Sequence, residues 1–173
     1  MWQENQRSQA GEALWRFSLA FYARPGVAAA LLALQDRAGS NVNVLLFALW
    51  LGAGGRRLDA SNLAVAQTAI AAIDAGVVQS LRRLRRGQIE AADPAIEGLR
   101  RRVLALEILS EREVQYRLAE TAKTFVNDRN GGASAAADAN LVLCLGPEAD
   151  SPEAAVLRGG LADLMRHAPA VPR

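Results

Sequence analysis

Hydrophobic positions recur along this chain mostly at helical spacing, and one stretch departs from that by being apolar all round. From Val42 to Leu51 only Asn43 is polar. Such a segment predicts a helix buried on every side, at about 41–51, with the other helices packed around it. Ser40 or Asn41 is placed to cap it, and Gly52-Ala53-Gly54-Gly55 gives a flexible exit.

The flanking pattern fits amphipathic helices. Leu14, Phe17 and Phe21 form one stripe of a helix over about 11–23, and Trp15, Leu19 and Tyr22 form a second. Arg24-Pro25-Gly26 breaks it, because the residue before a proline is driven out of the helical region. A second helix follows to Arg37, and Gly39 reads as its left-handed stop. Asp59 or Ser61 starts a fourth, with Leu63, Ala66, Ile70 and Ile73 on one face. Asp74-Ala75-Gly76 reads as a kink or short turn. Beyond it Val77, Val78, Leu81 and Leu84 share a face, and Gly87 ends the helix.

Asp93-Pro94 opens a long helix to about Val126, whose apolar stripe is Ile96, Leu99, Val103, Leu106, Val114 and Leu118. Glu97 with Arg101, and Glu113 with Arg117, are i,i+4 pairs in the favourable order. The run 127–133 is the clearest loop. A short helix over 134–145 follows; Leu141 to Leu145 is the only run that also reads as a buried strand. Ser151-Pro152-Glu153 is a strong start for a last helix to about His167. The pattern predicts an all-α fold: a bundle of six to eight helices in a single domain over 10–168, with residues 1–9 a disordered tail.

Composition narrows function mainly by exclusion. The 173 residues carry a net charge of only +2, and nearly all the positive charge is arginine, Lys123 being the sole lysine. Near-balance argues against a dedicated polyanion binder unless arginines cluster in space. Cys144 and His167 are each the only residue of their type, so neither a disulfide nor a Cys/His metal set can be assembled within the chain. In LVLCLG the cysteine reads as a small buried hydrophobe. Trp50 is expected in the core. The opening MWQENQRSQAGEA has no apolar signal-peptide core, and the run after Asn43 is too short to span a bilayer. The expected location is the cytoplasm.

Residues 14–52 read LWRFSLAFYARPGVAAALLALQDRAGSNVNVLLFALWLG. Trp15, Arg16, Phe17, Ser18, Tyr22, Arg24, Pro25, Gly26, Gln35, Asp36, Asn43, Trp50 and Gly52 carry a resemblance to a family of small proteobacterial proteins of unknown function. The segment Val77 to Arg86 resembles that family's middle region. The similarity covers about 14–118 and leaves the helices of 134–167 as a variable addition. It implies an all-helical fold and brings no activity.

Three groups of residues could carry function. Arg16, Arg24, Gln35, Asp36 and Asn43 are polar positions in apolar surroundings. They form either a structural network, for instance with Arg16 paired to Asp36, or a small anionic-ligand pocket near Arg16. Arg82, Arg83, Arg85, Arg86, Arg100, Arg101 and Arg102 lie on two consecutive helices. They make a basic surface for RNA, DNA or an anionic membrane, or a solvated face balanced by Glu90, Asp93, Glu97, Glu107 and Glu111. No aromatic residue stands between them to stack on bases. Catalytic chemistry finds no support: no Gly-x-Ser-x-Gly, no reactive-cysteine context, and scattered Asp74, Asp93 and Asp138 instead of a clustered metal–diphosphate site. GAGGRRLD lacks the Gly-Lys-Ser/Thr ending of a phosphate loop. The expectation is a non-enzymatic protein without cofactor or metal. It acts on a protein partner, or as a homodimer, through Val77 to Val103.

Overall fold

The computed structural model describes residues 9–87, 94–125 and 132–167. Every regular element among them is helical. In chain order these are α1 (Gln9–Tyr22), α2 (Val27–Ala38), α3 (Val42–Ala53), α4 (Ala60–Ile73), α5 (Gln79–Gly87), α6 (Pro94–Thr121), α7 (Ala133–Leu145) and α8 (Pro152–His167). The segment over 141–145 is helical, so the strand alternative fails. The expected tail over 1–9 and loop over 127–133 fall largely outside the described residues.

Local chemistry sets the helix ends. The Asn41 side chain accepts from the backbone N–H groups of Asn43 and Val44, and Asp59 accepts from Asn62. Gly39 ends α2 in the left-handed region at φ 66°. Ser151 Oγ accepts from the Ala154 N–H at the start of α8. At the Arg24-Pro25-Gly26 break, α1 and α2 meet at 102°.

The central helix α3 has ten of its twelve residues buried. One side, with Leu45, Leu46 and Leu49, packs into a core built with α1, α2, α7 and α8. The other, with Val44, Phe47, Ala48 and Leu51, joins a core built with α1, α4 and α6. α3 and α7 pack closely at Gly52, where an added Cβ would run into the Ala137 backbone. Trp50 is only half-buried, at the edge of the second core with its ring 6.3 Å from Phe47. The second stripe of α1 is split: Leu19 is exposed, while Tyr22 is partly buried against the first core.

Asn140 of α7 ties down the exit of α3. Its amide donates to the carbonyls of Ala48 and Arg56, each at 2.9 Å, and its Oδ1 accepts from the Leu58 N–H at 2.7 Å. A fully buried amide thereby has three partners, as a low-dielectric interior demands.

Asp74-Ala75-Gly76 does not end the helix as a short turn would. Residues Asp74–Val78 form a π-helical turn, and α4, this turn and α5 make one continuous helix, Ala60–Arg86. A π-turn holds one residue more than an α-turn, so the faces that follow are rotated. Ala66 and Ile70 point inward from α4. An unbroken α-helix would carry that stripe on through Val77, Leu81 and Leu84. Instead Val78, Arg82 and Arg85 face inward, while Val77 and Leu84 are 42% and 41% exposed.

Candidate functional site

α5 and α6 run antiparallel, and what joins them is ionic rather than apolar. Glu107, 3% exposed, accepts from Arg85 Nε at 2.6 Å and from Arg82 Nε at 3.2 Å. Arg82 Nη2 also donates to Glu111 at 2.5 Å. Burial opposes the Glu107 charge, but the hydrogen bonds from Arg85 and Arg82 overcome that and hold its pKa below the ordinary carboxylate value. For Glu111 burial wins over Arg82, and its pKa is raised. Tyr22, packed beside this cluster, is pushed up to about 12 by burial and then by the Glu111 charge.

With α5 attached through its arginines, the apolar residues of α6 lie elsewhere. Val114 and Leu118 are in the core as the sequence pattern predicts. The N-terminal part of the same stripe is not: Leu99 is 56% and Leu106 53% exposed, and Ile96 is exposed as well. Leu104, Ile108 and Leu109 add exposed apolar surface on other sides of this half-helix. A helix segment apolar on several sides is stable only when covered.

The seven arginines do not converge into one basic patch, nor do acids neutralise them evenly. Arg82 and Arg85 are consumed by Glu107 and Glu111, and Arg86 pairs with Asp36 at 2.9 Å. Arg83 bonds Ser80. Arg100, Arg101 and Arg102 make no ion pair with a carboxylate among the described residues. Glu107 is a buried structural anion rather than part of a solvated face.

The five polar positions of the first half do not form one network. Among the described residues Arg16 reaches only the Glu12 carbonyl of its own helix, at 3.3 Å, and is exposed. Asp36 lies with Arg86, which replaces the expected Arg16–Asp36 pair, and Gln35 bonds Asp36 at 3.4 Å. Arg24 pairs with Asp163 of α8 at 2.7 Å. Asn43 alone is buried. Its Oδ1 accepts from Gln115 at 2.9 Å, and Gln115 in turn accepts from Ser18. That trio joins α1, α3 and α6, and its central member sits in a polar stretch of sequence that gives no sign of burial.

A second cluster was equally silent. Tyr116 and Arg112 of α6 both bond Glu12, and the Arg112 guanidinium lies 5.7 Å from the Trp15 ring centroid and 5.6 Å from that of Tyr116. Gly11 lets the Tyr116 ring lie directly on α1.

Clefts mark the surface of the described residues, and two of them are the widest of three described. One of about 650 Å³ between α7 and α8 is lined by Leu49, Leu141, Leu161 and Met165, with Asp138 and Arg158 paired at its rim. The other, about 770 Å³, lies between Gln35 and Asp36 of α2 and Arg82, Arg83 and Arg86 of α5. Arg16 lines neither. No group of three or more His, Cys, Asp or Glu among the described residues is placed to hold a metal. Burial pushes the Cys144 thiol up to about 12, and His167 is exposed on the last turn of α8 against Asp163. One helix among the described residues, Ala60–Arg86, is long and apolar enough to cross a membrane; its most apolar stretch is only 22% buried.

No curated protein and no solved structure matches the chain. A family model described as a protein of unknown function, DUF2390, matches residues 13–118. That span runs from α1 into α6 and holds every residue of the α5–α6 ion cluster, and the chain belongs to this family.

Proposed function

We propose that this protein works by protein–protein contact through the outer face of α5 and the N-terminal half of α6. It is a docking module rather than an enzyme. The observation that carries the reading is the heptad-spaced stripe Ile96, Leu99, Val103 and Leu106, which is largely exposed and is backed by a buried ionic cluster instead of an apolar core. Large exposed apolar residues in one continuous patch are rare on a free surface and mark association sites. The chemistry of the lone thiol and imidazole gives no nucleophile–base pair to set against this.

A nucleic-acid role through the same helices is the weaker reading. Three of the seven arginines are committed to carboxylates, and the run Arg100–Arg102 is flanked by the exposed Leu99 and Leu104. Affinity purification of the wild type and of L99E/L106E, each with and without nuclease, tests the choice. The expected result is a stable protein complex that survives nuclease and is lost in the variant. Nuclease-sensitive capture, or identical capture by both chains, overturns the reading.

A further inference from the structure

The exposed stripe has features that select its occupant. Resting on the docking role above, we infer that the occupant is a second copy of this chain, packed antiparallel along α6 about a two-fold axis between Val103 and Leu106.

The first argument is spacing. Ile96, Leu99, Val103, Leu106 and Ser110 repeat at intervals of three, four, three and four residues. That repeat keeps a straight seam only against another helix lying nearly parallel or antiparallel to it. A flat bilayer or a nucleic-acid groove has no need of it.

The second argument is charge. Along α6 the basic run Arg100, Arg101, Arg102 lies toward the N-terminus; toward the C-terminus Glu111 is turned to Arg82, and Glu113 is exposed and bonded within the helix to Arg117. An antiparallel copy brings each basic run within about one helical turn of the other's acids, while a parallel copy sets arginine on arginine. The acids of this element are equally unfavourable toward an anionic membrane.

The third argument is continuity. Val77 of the π-turn and Leu81 and Leu84 on α5 lie about a quarter turn from the line where this helix meets α6. So do Leu99, Val103 and Leu106 on α6, in the same rotational sense. Two antiparallel helices with stripes turned in the same sense show both on one side. Val65, Ala69 and Ala72 extend that side along α4, with Val65 and Val77 among the exposed large apolar residues. A strip two helices wide and about 20 residues long covers roughly 600 Å² per copy, or about 1,200 Å² for a pair, the lower edge of stable interfaces. The rotation at Asp74–Val78 is what turns Val77 and Leu84 to this side, so the apolar face is built into the helix rather than scattered over it.

The test uses the full purified chain. Sedimentation equilibrium is expected to give a mass twice the 18.5 kDa of the chain. L99E/L106E is expected to lose the dimer while keeping its far-UV helical signal, since both residues are exposed in the single chain. L19E, on the α1 flank of α6, is expected to remain dimeric. Orientation is read in a Cys144→Ala background: Leu99→Cys mixed with Ser110→Cys should form a disulfide-linked pair, and Leu99→Cys alone should not. Self-linking of Leu99→Cys overturns the antiparallel arrangement. A wild type that stays monomeric at ~100 μM overturns the second-copy inference. The docking role then survives only if the nuclease-resistant complex of the preceding section is found. A monomer that instead co-sediments with phosphatidylglycerol vesicles, and loses this in L99E/L106E, overturns both.

Discussion

Gln115 Nε2 stands 2.9 Å from Asn43 Oδ1, joining the one polar side chain inside α3 to the middle of α6, 72 residues away. The Ser18 hydroxyl completes the link by donating to Gln115 Oε1 at 2.9 Å. All three residues are buried, so each is held by the others.

Removing one member strands its partners. Gln115→Ala should lower unfolding free energy by about 1–3 kcal/mol, the cost of burying unpaired polar groups. Asn43→Ala should cost a similar amount, and the double variant less than the sum, because each change already breaks the same bond. Denaturant titration of the four proteins measures the coupling; strict additivity would show the link to be idle.

Asn140→Ala should be among the most damaging polar substitutions in the chain. It leaves the Leu58 N–H and two carbonyls without their partner, at an expected loss of about 2–4 kcal/mol. A fall in thermal midpoint no larger than that of an exposed control such as Gln67→Ala would contradict this.

Glycine substitutions should divide by contact rather than by helix position. Gly52→Ala drives a methyl into the α7 backbone at Ala137 and should cost at least about 1–3 kcal/mol. Gly159→Ala meets nothing within 4 Å and should stabilise α8 by about 0.5–1 kcal/mol. Thermal melts of the two variants should therefore move in opposite directions.

Acid should weaken the α5–α6 contact through Glu107. Its folded-state pKa lies below the ordinary 4.5, so its contribution is complete above that value and is lost as pH falls through the folded pKa. Glu111 has the opposite sign: its raised pKa gives stability that is present below 4.5 and fades as pH rises through the folded value. Glu107→Gln should therefore flatten the loss of stability below pH 4.5, and Glu111→Gln should steepen the net acid sensitivity. Unfolding free energies measured from pH 3 to 7 for both variants check the two signs.

What could be read from the sequence was local. Gly39, Asn41, Asp59 and Ser151 end or begin helices because of bonds made within a few residues, and the apolar count of 42–51 alone forces burial. What could not be read was long-range or rotational. Nothing near Arg16 or Asp36 shows that Asp36 meets Arg86, 50 residues on, rather than Arg16. Glu107 passes for a solvated counter-charge until Arg82 and Arg85 are seen turned inward. A periodic stripe reveals that Leu99 and Leu106 share a face, but not whether that face belongs to the core. The apolar length of Ala60–Arg86 was hidden by Asp74 and Gly76, which look like a break and are not one.

The single additional residue at Asp74–Val78 decides which molecule this is. Were the same residues wound in ordinary α-geometry, the inner stripe of α4 would run straight on: Val77, Leu81 and Leu84 would close against α6 and the arginines would swing to solvent. The outcome would be a self-sufficient, basic-rimmed bundle with Glu107 left buried and without a counter-ion. The chain as it stands forgoes that closure, and so its sociability is written in one backbone hydrogen-bond register rather than in any side chain.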